Sequence, residues 1–282
     1  MNRRTFFRRA AQGLGGLALA GGLAGGYMRF VEPFWIQRTT KTVALPHLRD
    51  PVRLFHLSDF HEEEIGSNAV ARAVDLALDA NPDLICLTGD FFSRSILDRD
   101  AYVAQLRRLQ DAAPTFAIAG NHDGGAWVAR RGGLPTLGPL RALLDDAGVS
   151  FLHNRRTVLG ARDQPLALVG VGDLWARDID PVAFDGLASD LPTVLLSHNP
   201  DSKTTLRDYR WDLMLSGHTH GGQLRIPLTG GTPFAPVRDQ RFVEGLHAWD
   251  GKQLHITRGV GSLGPARLNC RPEVSVLDLV PT

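Results

Sequence analysis

The sequence predicts an α/β protein organised around a parallel sheet, on three observations. At 282 residues with 43% hydrophobic content, the chain can bury one large core. Over its first half, apolar runs alternate with segments of helical period, the βαβ pattern whose crossovers are right-handed. Five apolar runs end in a polar signature, "HLSDFH", "CLTGD", "AIAGNHD", "LLSHNP" and "MLSGHTH", and open α/β sheets bind ligands at the carboxyl ends of their strands.

The elements follow in order. "VRLFHLSD" reads as a buried strand. In "SNAVARAVDLALDANPD", Ala69, Val70, Ala73, Val74, Ala77 and Leu78 share one helical face, and Asn81-Pro82 stops the helix. "DLICLTGD" is the next strand, "RDAYVAQLRRLQDAAP" the next helix and "PTFAIAGNHD" the third strand. Shorter strands dominate thereafter: "VSFL", "RTVLG", "PLALVGV", "PTVLLSHNP" and "DLMLSGHTH". "RFVEGLHAWDGKQLHIT" is a hairpin with Asp250-Gly251 at its tip, and "EVSVLDLV" is a last strand. Residues 52–282 therefore read as one domain, preceded by a linker over 31–51 and a distinct segment over 1–30.

That first segment opens "MNRRTFFRRA", with Arg3, Arg4, Arg8 and Arg9 and no acid, before a Gly/Ala/Leu-rich run from Ala10 to Met28. A basic and then mildly apolar order is the layout of an export signal or signal-anchor. "NRRTFF" resembles the twin-arginine signal, whose machinery exports folded proteins, so that machinery is an expected partner. Seven glycines in the run argue against a stable membrane span. Cleavage after Ala18-Leu19-Ala20 is one outcome and retention as a membrane anchor the other. The expected location is periplasmic or the outer face of the cytoplasmic membrane. Loss of the four arginines leaves 27 basic against 30 acidic residues, a net of −3, which speaks against a nucleic-acid-binding surface. Cys86 and Cys270 are too few for a disulfide framework, and Cys86 reads as a small buried strand residue.

His61, His122, His198, His218 and His220, half of the chain's 10 histidines, sit at the five strand ends with Asp59, Asp90 and Asn121. Imidazole, carboxylate and amide oxygen without thiolate suit a first-row divalent metal such as Mn, Fe or Zn. Eight such groups exceed the needs of one ion, so the economical reading is two metals sharing a carboxylate. A lone His is usually a satisfied polar group and a lone Gly-Asp a turn; the ordered set carries the signal. His218 and His220, at i and i+2, point to the same side of the chain.

The series D-x-H, G-D, G-N-H-D, H and G-H-x-H, covering Arg53 to His220, resembles the calcineurin-like metallophosphoesterase superfamily. "GHTHGGQ" and "ITRGVGSLGPARLNCRPEVSVLDL" are similar to a branch of exported bacterial phosphodiesterases. The resemblance implies two packed mixed β-sheets flanked by helices. It implies one divalent ion on Asp59, His61 and His220, a second on Asn121, His198 and His218, and Asp90 bridging them. It further implies metal-dependent hydrolysis, with hydroxide attacking phosphorus in line and His122 as general acid at the leaving oxygen. A phosphodiester is the expected substrate. The rival readings are a pyrophosphatase acting on nucleotide- or lipid-linked phosphate at the membrane, marked by an apolar groove beside the metals, and a non-catalytic metal-binding scaffold.

Two departures stand out. Ser93 occupies the position where many relatives place Asp or His to orient the catalytic histidine, so the expectation is that His122 is either held otherwise or less basic. Glu62, Glu63 and Glu64 follow His61, where relatives are less acidic; a solvated loop is the expectation. Arg94 matches a phosphate-binding arginine of the phosphatase branch, and Arg258 is a second candidate substrate contact, against a structural ion pair. Trp127 and Arg130 are expected to border the cleft on a Gly-rich loop. If the twin-arginine reading holds, replacing both Arg3 and Arg4 with lysine leaves the protein inside the cell, as read by cell fractionation; normal export of the variant refutes it.

Overall fold

The computed structural model describes residues 2–264 and 266–282. The first half comprises α1 (Arg3–Phe30), β1 (Gln37–Leu45), β2 (Val52–Leu57), α2 (Glu62–Ile65), α3 (Ser67–Leu78), β3 (Leu84–Leu87), α4 (Arg99–Ala112), β4 (Thr115–Ala117), α5 (Ala126–Ala129), α6 (Gly138–Ala147) and β5 (Ser150–Phe151). The second comprises β6 (Arg155–Ala161), β7 (Gln164–Gly170), β8 (Thr193–Leu196), α7 (Ser202–Thr205), β9 (Leu213–Ser216), β10 (Gly245–Trp249), β11 (Lys252–Ile256) and β12 (Glu273–Pro281).

The βαβαβ unit forms as the periodicity requires: β2, β3, β4 and β5 are parallel neighbours. They continue through β12 to β1, giving one six-stranded mixed sheet, order β1-β12-β2-β3-β4-β5. The second six-stranded sheet runs β10-β11-β9-β8-β7-β6, parallel from β11 to β7 and antiparallel at both ends. The hairpin is as read, with Trp249 paired to Lys252 across Asp250-Gly251, both turn residues at positive φ.

Each strand of four buried residues serves two faces. Leu84 and Cys86 of β3 join Leu54, Leu166, Leu168, Val194, Leu196, Leu213 and Leu215 in the core between the sheets. Ile85 and Leu87 point the other way, onto Val70, Val74, Leu106 and Leu109 of α3 and α4. α6 adds the stripe Leu140, Leu143, Leu144 and Ala147 to that layer, at the i, i+3, i+4, i+7 spacing of an amphipathic helix. Behind the second sheet, Val169, Leu195 and Met214 pack on Phe184, Leu206, Trp211 and Phe242.

The linker expected over 31–51 is corrected. Residues 37–45 form β1, parallel to β12 from Gln37↔Glu273 to Leu45↔Pro281. It is an edge strand whose first six residues are mostly solvent-facing, with only Val43 and Leu45 buried, so its sequence lacks the apolar alternation of a strand. Its partner lies more than 230 residues away in the chain. The basic N-terminal segment is helical in α1, although the side chains of Arg3, Arg8 and Arg9 fall outside the described residues. Among the described residues no helix is long and apolar enough to cross a membrane. Leu196→Ala in the inter-sheet core is expected to cost about 2–5 kcal/mol in urea unfolding, whereas Val158→Ala on the exposed face of β6 should stay within about 0.5 kcal/mol.

Candidate active site

The carboxyl ends of β2, β3, β4, β8 and β9 meet at one end of the two sheets, where all seven predicted metal ligands are buried. Asp59, His61, Asp90, His218 and His220 lie at positive φ, between 43° and 69°. Asp and His tolerate this left-handed region better than most residues, but each such residue costs on the order of 1–3 kcal/mol and persists where its surroundings fix it. Here it reverses the chain sharply beyond a strand and turns the side chain back over the strand ends.

Buried amides hold the carboxylates. The His218 N–H donates to Asp59 Oδ1 and Oδ2 at 2.9 and 3.1 Å, and the His122 N–H donates to Asp90 Oδ1 at 2.9 Å. Two glycines permit this approach: a Cβ on Gly217 would overlap Asp59 Oδ2 and Ser58 Oγ, and one on Gly120 would overlap Asp90 Oδ1.

The ring nitrogens are sorted by their outer partners. His198 Nδ1 donates to the Thr88 carbonyl oxygen at 2.7 Å, leaving Nε2 turned to Asp90 Oδ2 at 3.1 Å. His61 Nδ1 hydrogen-bonds Ser93 Oγ at 2.7 Å, and its Nε2 faces the same Asp90 oxygen at 3.6 Å. His220 Nε2 faces Asp59 Oδ1 at 3.4 Å, and His218 Nδ1 lies 2.7 Å from Asn121 Oδ1. The Nε2 atoms of His61, His198 and His220 are buried without a hydrogen-bond partner. Two donors about 2.1 Å from one ion lie roughly 3.0–3.4 Å apart. The unpartnered nitrogens and their facing carboxylates therefore fit divalent ions. Asp59, His61 and His220 form one cluster, and Asp59, Asp90 and His198 a second.

Protonation follows from the same contacts. Burial lowers His61 to about 3 against the pull of Asp90, and burial together with His198 lowers His218 to about 3, so both rings are neutral donors at ordinary pH. His198 is the exception: burial pushes it down, but Asp90 and Asp59 outweigh that and raise it to about 10. Burial would raise Asp90, but His198 and then His122 hold it well below the usual carboxylate range.

Several predicted contacts are placed differently. Ser93 orients His61, not His122. The His122 ring meets the edges of His61 and Trp127 at 5.2 and 5.5 Å. The acidic run is not a solvated loop: Glu62 is buried and accepts from the Leu97 N–H and Ser67 Oγ, and Glu63 accepts from the Ser93 and Arg94 N–H groups. Both clamp the segment that carries Ser93, and only Glu64 is exposed. Arg94 is exposed and held through its backbone N–H. Arg258 is withdrawn into a structural ion pair, its Nε 2.6 Å from Glu273 Oε2. Trp127 borders a cleft as expected, but Arg131 lines it rather than Arg130.

Sequence reasoning missed two buried supports. Asp123 accepts the N–H groups of Asp90, Phe91 and Gly120 at 2.7–2.8 Å, fixing the Asp90 turn to the Asn121 turn; its place in "GNHD" was the available signal. Arg267 is fully buried and ties the Arg258 and Cys270 carbonyl oxygens, at 2.8 and 2.9 Å, to the His220 turn. No sequence pattern marked it.

A fold of two stacked six-stranded sheets, with paired donor clusters at their strand ends, is that of a metal-dependent phosphoesterase. The calcineurin-like phosphoesterase model matches residues 52–222, and the chain belongs to that family of divalent-metal hydrolases. Among its relatives, "Phosphodiesterase YaeI" of Escherichia coli is 41% identical over 99% of this chain and 100% of its own length. The "uncharacterized metallophosphoesterase YkuE" of Bacillus subtilis is 29% identical over 100% and 99% of the two chains. The "UDP-2,3-diacylglucosamine pyrophosphatase LpxG" of Chlamydia muridarum is 26% identical over 88% and 90%. Gly217→Ala is expected to keep the circular-dichroism spectrum while weakening Mn uptake at least about tenfold, or 1.4 kcal/mol; wild-type metal affinity would contradict the glycine's role.

Proposed function

We propose that this metallophosphoesterase is a phosphodiesterase with a dinuclear centre: Asp59, His61 and His220 on one ion, Asn121, His198 and His218 on the other, and Asp90 between them. The carrying observation is the position of Asp90 Oδ2, which faces His61 Nε2 at 3.6 Å and His198 Nε2 at 3.1 Å, one ring from each set. The two donor clusters share Asp59 instead, but its oxygens are already engaged by the His218 N–H, so Asp90 is the better bridge. The preference for a diester rests on the relative named a phosphodiesterase, aligned over nearly the whole of both chains.

When bound, two divalent ions supply charge stabilisation and an acidified water. The protein's own part is positional. The Thr88 carbonyl and Ser93 hydroxyl fix the His198 and His61 rings so that their free nitrogens converge. His122 is anchored by its N–H to Asp90 and leaves its ring half-buried at the rim, in reach of a leaving oxygen as proton donor.

One observation favours the second reading, a substrate with lipid-linked phosphate. A groove of about 280 Å³ is lined by Thr219, His220, Leu224, Phe234, Pro236 and Leu263, and Phe234 stands exposed on its wall. The pyrophosphatase relative acts on a diacylated substrate by its name. The N-terminal arginine pair supports export by the twin-arginine route, which would set this groove at a membrane surface.

The deciding assay strips the metal, restores Mn, Zn, Fe or Mg singly, and compares an aryl phosphodiester with its monoester. Diester turnover should dominate. Asp90→Asn and His122→Ala should each lower it by about 10²-fold or more, with metal content falling only in the first. Full activity in both variants overturns the assignment.

A further inference from the structure

An open cleft of about 480 Å³ lies beside the ligand rings, lined by Trp127, Arg131, Leu174, Trp175, Arg177 and Arg238. It adjoins the reaction centre through its indoles. Trp127 meets the edge of His122 at 5.5 Å, Trp175 meets His218 at 4.2 Å, and the two indoles are 5.2 Å apart. Three cations come to this cleft from three separate segments, and no acidic side chain lines it.

The nearby acids are committed elsewhere. Asp173 accepts the Trp175 and Ala176 N–H groups, Asp178 pairs with His153, Asp201 accepts the Arg238 N–H, and Asp239 pairs with Arg241. Arg131 is positioned by its own hydrogen bond to the Trp127 carbonyl oxygen at 2.8 Å and lies over that indole at 4.0 Å. Among the described residues, no hydrogen bond or ion pair engages the guanidinium of Arg177 or Arg238. Arg177 also sits at φ 58°, a conformation arginine rarely adopts and one that clusters at ligand sites. Like charges gathered without a counter-ion repel, and guanidinium forks match phosphate oxygens.

We propose that the substrate carries a second phosphate-type anion beyond the scissile group, held by Arg131, Arg177 and Arg238. Because the cleft meets His122 through Trp127, that anion belongs to the leaving group. This rests on the phosphodiesterase reading and deepens it. The neighbouring apolar groove lies on the His220 side, so one amphiphilic substrate can use both.

The test uses the metal-loaded full chain and glycerophosphoglycerol with and without a terminal phosphate, which share one scissile diester. The wild type should prefer the terminally phosphorylated form at least tenfold in kcat/KM. The Arg177→Ala/Arg238→Ala variant should lose at least most of that preference, chiefly through KM. Equal cleavage of the two by wild type, or preference retained in the variant, overturns the proposal and leaves the phosphodiesterase reading standing. Cleavage of neither removes both. If the variant instead loses only inhibition by inorganic phosphate, with the preference unchanged, the cleft serves released phosphate and the proposal also fails.

Discussion

Three carboxylates, Asp59, Asp90 and Asp123, are buried together at the ends of neighbouring strands, and the need to compensate them governs the surrounding structure. Burying charge costs several kcal/mol per ion unless hydrogen bonds and opposite charge answer it. Asp123 accepts backbone N–H groups from two turns at once, yet burial and the neighbouring Asp90 still raise its carboxyl to about 8. Asp59 and Asp90 receive only part of their compensation from the His218 and His122 amides. Of the imidazole nitrogens that face them, those of His61 and His220 belong to neutral rings and offer lone pairs, whereas His198 is held protonated beside Asp90. Lone pairs facing carboxylates repel in the protein alone and are drawn together around divalent cations, which is the signature of a metal site.

The backbone bears the consequence. Amides reach the carboxylates only because the chain turns back immediately beyond each strand, and the left-handed residues Asp59, His61, Asp90, His218 and His220 are how it turns. Close passage of the turns then requires bare glycines at 120 and 217. Metal binding in such a site is coupled to folding, because the geometry that strains the backbone is the geometry the ions reward.

Around this fixed centre the walls differ in character. On the His218 and His122 side they are indole and guanidinium; on the His220 side they are Leu224, Phe234, Pro236 and Leu263. The polar wall is built from α5 and the turn after it, from the segment after β7 and from the segment before β10. Under the proposed function, chemistry would belong to the strand ends and substrate choice to the segments that form these walls.

The sequence by itself determined the donor set and the strand-helix alternation that places it. Both are local: "HLSDFH" or "SGHTH" announces a strand end and its side chains within a few residues, and helical period is visible across three turns. Tertiary structure alone decided which neighbours orient those donors. Ser93 serves His61, Glu62 and Glu63 clamp a loop, Arg258 finds Glu273, and Arg267 becomes a buried strut. β1 was hidden for the same reason, since a polar edge strand is defined by its pairing with β12 from the far end of the chain. Periodicity records what a segment buries against its own face, whereas the partner of a polar group depends on which distant segment arrives beside it.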